Sequence, residues 1–284
     1  MPGTLPGRLG RAGAHTGGTG RVRTVVGRAG RWRGGGGEGL TVTDVNDRTV
    51  AEAGTGTGTA AAAPPSAPVR ALAGTGIALT VLCVVTVLTL HVVPPTSAIS
   101  PVRRTISEYG LSSLSWAFNL GVVALAAGSA AVLAAQLGRF RSASRTGLVF
   151  GAVWIVALLV LVVFPKHNWA VGPSTSGTVH RMASLVAFLV LPFAVLLLQW
   201  RRARAGSALA RWGCGLAVLG LAWFLPIAVA IATRSVSGLP WWQAVPLGLV
   251  ERGMAASEVA AVIVVGVDAL RRRPVTPDPR PAAG

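Results

Sequence analysis

Six apolar stretches, each close to the ~20 residues with which a helix crosses about 30 Å of hydrocarbon, constrain this chain more than any other feature. They lack the alternation of a membrane β-barrel, and backbone groups in lipid must form their hydrogen bonds within the protein. Helices therefore remain, and the predicted fold is all-α, a polytopic membrane bundle of six transmembrane helices. The predicted spans are residues 71–93, 115–137, 147–164, 179–199, 212–233 and 247–269.

The charged residues indicate the orientation of this bundle. Only 12% of the residues are charged, against about 25% in a soluble domain, yet the formal charge is +17. Arginines concentrate in the loops 138–146 and 200–211 and in the tail that begins at residue 271. Because basic residues of short loops stay in the cytoplasm, we predict a multi-pass protein of the cell membrane with its N-terminus and C-terminus cytoplasmic. The segments predicted to face outward are 94–114, 165–178 and 234–246.

The two ends of the chain differ from the membrane part. Residues 1–69 form a Gly-, Arg- and Thr-rich arm, and we predict disorder there and in a short tail at 273–284, on either side of a transmembrane domain at 70–272. The arginines of the arm are compatible with RNA or with anionic lipid. Because one tryptophan makes a poor platform for base stacking, the expected partner is the lipid bilayer and no nucleic acid is expected.

Small residues within the apolar stretches bear on packing. Cys83 and Cys214 fall at depths about 15 Å apart, too far for a disulfide, so two free thiols are expected. Gly147 and Gly151 form a small-xxx-small pair that lets helices approach closely. We interpret the pair as packing within one chain, and it leaves the oligomeric state open.

The first outward segment has the pattern of a short helix. Ser100 suits an N-cap, Pro101 the first helical position and Gly110 the C-terminal cap. We predict an amphipathic helix lying on the outer leaflet, or a segment that only connects the first two spans. The residues of its two faces are, on the apolar side, Val102, Ile106 and Tyr109 and, as an i,i+4 ion pair, Arg104 and Glu108.

Polar residues also stand near the outward ends of two later helices. His180 could be a metal ligand, a general base, a proton sensor or an ordinary hydrogen-bonded residue. Glu251, Arg252 and Glu258 begin the sixth helix. A carboxylate at Glu258 costs about 2.5–3.5 kcal/mol or more in lipid unless it is paired, so it should face the bundle interior, either in an ion pair or in a proton-relay or ligand role. Its candidate partners are Arg103, Arg104, His180 and Arg181.

Standard catalytic and cofactor motifs are absent from the sequence, including a Walker loop, His-Glu-x-x-His, Gly-x-Ser-x-Gly and Cys-x-x-Cys. A zinc site would need three or four protein ligands. The spacing of the available side chains does not demand such a site, so we expect no cofactor and no metal. The side chains that could supply ligands are His167, His180, Glu108 and Glu258.

Four short motifs occur in the order and spacing of a known family. They are Ser100-Pro101 with Ile106 to Gly110, Phe164-Pro165, Gly177 to His180, and Gly248 to Arg252. Over residues 72–272 the chain resembles DUF998, a bacterial family of six-helix integral membrane proteins, which implies polar motifs on one face and no assigned activity. Members usually carry an Asp shortly after the Phe-Pro, where this chain has Lys166-His167-Asn168, so a site that needs the Asp would be lost here. At the level of the fold, the chain also resembles membrane hydrolases of the alkaline ceramidase type, which have Ser, Asp and His at helix ends.

Three functions stay open. The first is non-enzymatic binding of a lipid or small amphiphile from the outer face, or a part in membrane upkeep. The second is a membrane-embedded hydrolase of a lipid-like substrate that uses Ser107, His180 and Glu258, with or without zinc. The third is a transporter. An inverted repeat would be expected in that case, and the sequence does not show one. The binding hypothesis predicts an apolar cavity lined by Trp154, Trp223, Trp241 and Trp242, with Glu108 and His180 at its polar end. The candidate ligand-binding residues are Arg104, Glu108, Tyr109, His180, Arg181, Glu251 and Arg252.

Overall fold

The computed structural model describes residues 64–140, 143–168 and 170–271, and these residues form helices and loops without a β-strand. Six helical spans are long and apolar enough to cross a membrane, so the all-α prediction is confirmed and the chain is a multi-pass integral membrane protein. The disorder predicted for the arm and the tail falls almost entirely on residues outside the described ones. The helices are α1 (Ala67–Val92), α2 (Ser115–Arg139), α3 (Arg145–Val163), α4 (Thr175–Arg204), α5 (Ala208–Ala222), α6 (Leu225–Ala232), α7 (Arg234–Ser237), α8 (Trp241–Ala244) and α9 (Leu247–Leu270).

Serine caps determine where three of the helices begin. The side chains of Ser144, Ser174 and Ser207 accept hydrogen bonds from the backbone N–H three residues ahead, at the starts of α3, α4 and α5. Such caps satisfy backbone donors that have no partner within the helix. They lie before the apolar stretches, which explains why α3, α4 and α5 begin two to four residues earlier than hydropathy predicts.

The fifth span is not one continuous helix. It runs over Ala208–Val236, but α5 ends at Ala222 and α6 begins at Leu225 with Pro226 in its first turn. A proline lacks a backbone N–H and is tolerated there, where that group would have no helical partner. In contrast, α4 continues through Pro192 as a single helix of 30 residues.

Glycines let neighbouring helices touch through their backbones. The helices pack in chain order around a ring, and α9 contacts α1, α2, α4 and α5. A Cβ atom built on Gly76 would lie 2.7 Å from the carbonyl oxygen of Gly128, so α1 and α2 are in backbone contact there. Gly147 faces Leu198 of α4 and Gly151 faces Leu133 of α2, so the small-xxx-small pair does pack within the chain, against two different helices.

An ion pair that was not predicted from the sequence joins helices at one end of the bundle, which we call the Phe140 end. Arg202 of α4 forms a salt bridge with Asp268 of α9, which is buried. The Arg202 guanidinium also lies 3.7 Å from the centroid of the Phe140 ring. Nearby, the Gln136 side chain donates to the carbonyl oxygen of Val265 at 2.7 Å. These contacts join the last turns of α2, α4 and α9.

The predicted amphipathic helix between α1 and α2 is wrong. Residues 101–104 form turns, and only a short 3₁₀ helix, Ile106–Leu111, follows. Tyr109 is fully buried, so the segment turns inward rather than lying on a membrane surface. The cause is α9, because Arg252 donates to the carbonyl oxygens of Pro101 and Arg104, each at 2.8 Å, and so takes acceptors that an α-helix would use. The predicted Arg104–Glu108 ion pair does form, at 3.5 Å.

Both cysteines have free thiols, as expected, and both are buried.

Candidate ligand-binding site

A cavity of about 460 Å³ lies inside the bundle, nearer the end opposite Phe140, which we call the Tyr109 end. Its walls come from α1, α2, α3, α4, α9 and the 3₁₀ helix Ile106–Leu111, and they are mostly apolar. Its volume falls in the range of about 300–1,000 Å³ that is usual for small-molecule sites. The polar residues in its walls are His91, Ser107, His180, Ser184, Glu251, Arg252 and Glu258.

Arg252 is the hydrogen-bonding hub of the Tyr109 end. Its Nη1 donates to the carbonyl oxygens of Pro101, Arg104 and Gly248, at 2.8, 2.8 and 3.0 Å. Its Nε donates to His91 Nε2 at 2.8 Å and its Nη2 to the Tyr109 hydroxyl at 3.0 Å. The planar fork of a guanidinium suits such divergent acceptors. Arg252 therefore ties α9 to α1 and to the connecting segment, and its donors are largely used.

Glu251 and Lys166 also hold the segment that contains Ile106–Leu111. Glu251 Oε2 accepts from the backbone N–H of Ile106 at 2.7 Å. Glu108 pairs with Lys166 at 2.9 Å, and the same ammonium group donates to Thr105 Oγ1 at 2.8 Å. Lys166 is the first residue after Phe164-Pro165, and it contacts the segment directly.

His180 is held in one orientation by the backbone. Its Nδ1 lies 2.8 Å from the carbonyl oxygen of Phe164, which can only accept, so Nδ1 carries a proton. The other nitrogen, Nε2, is buried and has no hydrogen-bond partner among the described residues. A histidine in this state can accept a hydrogen bond at Nε2.

Glu258 lies deep in the bundle and lacks the partner predicted for it. It is buried, and no ion pair links it to any described residue, so the prediction that an Arg or His from the outer loops would pair with it is wrong. Its Oε1 atom is buried without a hydrogen-bond partner. Arg103 and Arg104 are exposed at the Tyr109 end, whereas Glu258 lies about 16 Å of helix rise below the start of α9 at Leu247.

The three catalytic candidates line one cavity without forming a triad. No hydrogen bond joins Ser107, His180 and Glu258 in the described part of the chain; Ser107 instead contacts Thr105 at 3.1 Å. A Cβ built on Gly220 would lie 3.6 Å from Pro192 and 3.8 Å from Glu258, which places Glu258 at the depth of Pro192. Pro192 follows His180 by about 18 Å of helix rise, so His180 and Glu258 belong to different layers.

The cavity reaches the outside of the bundle between α1 and α9. Leu88 and Ala256 line the cavity and are also exposed on the bundle's surface. The two helices meet on either side of this opening, where Gly266 packs on Ile77 and where Arg252 bonds to His91. Because both helices span the membrane, this opening faces hydrocarbon.

Other predicted site residues lie elsewhere. Arg181 is exposed and does not line the cavity. Of the four tryptophans expected there, only Trp154 lines it; Trp223 and Trp241 pack in a separate apolar cluster with Met254. His167, treated as a loop residue, is buried and accepts from the backbone N–H of Ser174 at 2.9 Å. Within the residues that the structure describes, no three side chains of His, Cys, Asp or Glu come together as metal ligands.

A comparison with protein families finds one match. The model of the family described as "Protein of unknown function (DUF998)" matches residues 77–268, more than half of the chain. Searches of curated proteins and of solved structures gave no match.

Proposed function

We propose that this chain, which belongs to the DUF998 family, binds a single-chain lipid or small amphiphile of the bilayer in the cavity described above. The observation that carries the proposal is an apolar cavity of about 460 Å³ that opens toward hydrocarbon and whose walls hold buried polar atoms without partners. An apolar pocket with a few convergent polar groups is the usual form of a small-molecule site. An opening between α1 and α9 lets such a molecule enter from the membrane without crossing water.

The polar end of this site is built from parts that the bundle already fixes. Arg252 bonds to Tyr109 and Glu251 bonds to Ile106, so both hold the Ile106–Leu111 segment, which contributes to the cavity wall. The carbonyl oxygen of Phe164 orients His180. Fixed polar groups in an apolar wall can orient an amphiphile, because its polar group can form hydrogen bonds only where those groups lie. This arrangement supports binding more directly than catalysis, since no nucleophile is hydrogen-bonded to a base among the described residues that line the cavity.

The proposed location is the cell membrane, with the Tyr109 end facing outward and both termini in the cytoplasm. It rests on the arginines of the loops at the Phe140 end. In a chain whose two cysteines are replaced by serine, we expect a membrane-impermeant maleimide to label Ser100→Cys but not Ala205→Cys on intact cells. Both positions are exposed, so the reverse pattern would contradict the orientation.

Filling the cavity is expected to remove the bound amphiphile. Ala255 lies between Glu251 and Glu258 on the wall that α9 contributes, and Ala255→Trp would put an indole ring into the space. We expect the amount of co-purifying amphiphile, measured by mass spectrometry after extraction in mild detergent, to fall at least about tenfold, the effect of 1.4 kcal/mol.

The matched control is Leu249→Trp, an exposed position of α9 that does not line the cavity. It should leave the amphiphile bound. Equal amounts of amphiphile with both variants and with the unchanged chain would show that the molecule binds to the outer surface instead of the cavity.

A hydrolase is the second candidate, and the orientation of His180 favours it, because an unpartnered Nε2 can accept a proton from a nucleophile. Ser107 lines the same cavity. If the protein is a hydrolase, a long-chain fluorophosphonate should label Ser107, and His180→Phe should abolish the labelling. Absence of labelling in folded protein would reject this candidate and leave the binding proposal intact.

A further inference from the structure

A second pocket, which we call the Arg201 pocket, lies at the Phe140 end of the bundle and has a volume of about 690 Å³. Its walls come from the last turns of α2 and α4 and from the connection that leads into α3, and they are mostly apolar. It extends from the buried Gln136 to the exposed Arg201, so it opens at the surface of the bundle. None of its lining residues belongs to the cavity described above, so the two sites are separate.

The wall that α4 contributes changes from apolar to charged within one turn. Leu197 and Trp200 line the pocket and are also exposed on the outside of the bundle. Arg201 follows Leu197 by four residues, so the two share a face of α4 and lie about 6 Å of helix rise apart. Because α4 spans the membrane and ends in a group of arginines, Leu197 faces hydrocarbon and Arg201 lies toward the lipid headgroups. Tryptophan is typical of this boundary.

The arginines around the pocket differ in whether their charge is balanced. Arg202 is paired with Asp268. Arg201 and Arg145, in the first turn of α3, are exposed, and their side chains form no ion pair or hydrogen bond with any residue that the structure describes. The α2–α3 and α4–α5 connections and the turns next to them contain no acidic residue. The mouth of the pocket therefore carries an excess of positive charge, which attracts an anion.

We propose that the Arg201 pocket binds an anionic phospholipid of the leaflet at the Phe140 end, with Arg201 at the lipid phosphate and one acyl chain over Trp200 and Leu197. Basic pockets between transmembrane helices bind the headgroups of anionic lipids, and a guanidinium matches a phosphate with two parallel hydrogen bonds. The Ser144 hydroxyl also lines the pocket. It accepts from the backbone N–H of Gly147, so its own proton is left to donate to the headgroup.

The same charges select against zwitterionic lipids. Phosphatidylcholine has a phosphate too, but it carries a quaternary ammonium group beyond it, where phosphatidylglycerol has an uncharged glycerol. In this pocket the ammonium group would lie among arginines, including Arg204, whose guanidinium lies 5.3 Å from the centroid of the Trp200 ring. Like charges placed side by side reduce affinity and so give specificity. Two lipids with identical acyl chains therefore differ at this site through the headgroup alone.

The experiment uses the purified full chain in dodecyl maltoside micelles and a phosphatidylglycerol that carries a diazirine in one acyl chain. Mass spectrometry locates the labelled residues, and unlabelled phosphatidylglycerol, phosphatidylcholine and glycerol 1-phosphate compete. We expect labels in the last turns of α4 and the first turn of α3. Phosphatidylglycerol should compete at concentrations about fivefold or more below those of phosphatidylcholine, the effect of about 1 kcal/mol. Glycerol 1-phosphate, which lacks acyl chains, should not compete at these concentrations.

Arg201→Gln and Arg211→Gln form a matched pair. Both residues are exposed, both substitutions remove one positive charge at the same end of the bundle, and only Arg201 lines the pocket. Neither side chain contacts another described residue through a hydrogen bond or an ion pair, so both variants should keep the thermal midpoint of the unchanged chain. We expect Arg201→Gln to remove the preference for phosphatidylglycerol over phosphatidylcholine and Arg211→Gln to keep it.

Three results would overturn the proposal. Equal competition by the two phospholipids, or labels that lie away from the pocket, would show that the pocket does not select an anionic headgroup. An equal loss of preference in Arg201→Gln and Arg211→Gln would show that the overall positive charge of this end, and not the pocket, attracts the lipid. Competition by glycerol 1-phosphate as strong as that by phosphatidylglycerol would assign the pocket to a soluble phosphate compound instead of a membrane lipid.

Discussion

Replacing Arg252 with methionine is expected to destabilise the protein by about 3 kcal/mol or more. The substitution leaves the hydroxyl of the buried Tyr109 without its donor and also removes the hydrogen bonds to the more exposed carbonyls of Pro101 and Arg104. Hydrogen bonds to a charged group contribute about 1.5–3 kcal/mol each, and an acceptor left unsatisfied adds its own cost. We expect the midpoint of thermal unfolding in detergent to fall by about 6–12 °C.

Two further variants identify the cause. Arg103→Met removes a neighbouring exposed arginine and should change the midpoint little. Arg252→Lys keeps the charge, but its ammonium group cannot reach all the acceptors that the planar guanidinium bonds to. Its thermal midpoint should therefore be close to that of Arg252→Met. A midpoint for Arg252→Lys equal to that of the unchanged chain would show that charge, not the guanidinium geometry, holds the Tyr109 end.

The helical spans could be predicted because their cause is local. Each is a run of residues long enough to cross hydrocarbon, and that length is visible in the sequence. The segment at residues 101–110 shows the opposite case. Ser100 and Pro101 carry a good helix-start signal, but Arg252, about 150 residues later, bonds to the carbonyls that such a helix needs. A contact of this separation cannot be predicted from a local pattern.

The candidate site was predicted in part for the same reason. Glu258 was expected inside the bundle because a charged side chain avoids lipid, and it is buried there. The candidate partners in the outer loops are opposite in charge to Glu258, but about 16 Å of helix rise separates Glu258 from the outer end of α9 at Leu247. Asp268 was overlooked, although an Asp in the last turns of an apolar run, on the side of the Arg-rich loops, points to an ion pair such as the one with Arg202.

Replacing Gly76 with leucine is expected to separate α1 from α2. Even a Cβ at this position would lie 2.7 Å from the carbonyl oxygen of Gly128 and 3.0 Å from the backbone N of Val132. Backbone atoms cannot move aside as a flexible side chain can, so the helices must shift along their length. Overpacking costs about 1–3 kcal/mol and occasionally more, and here it also displaces Cys83 and Val84 from the cavity wall that α1 forms.

Gly74→Leu is the matched control, two residues away on the same helix, where a Cβ meets no atom within 4 Å. It adds the same side chain toward the outside of the bundle, which lipid can accommodate. We expect Gly76→Leu to lower the thermal midpoint and to reduce the amount of co-purifying amphiphile, and Gly74→Leu to do neither. If both variants lowered the midpoint equally, the loss would come from the added side chain itself, and the backbone contact between α1 and α2 would not be what places α1 against the cavity.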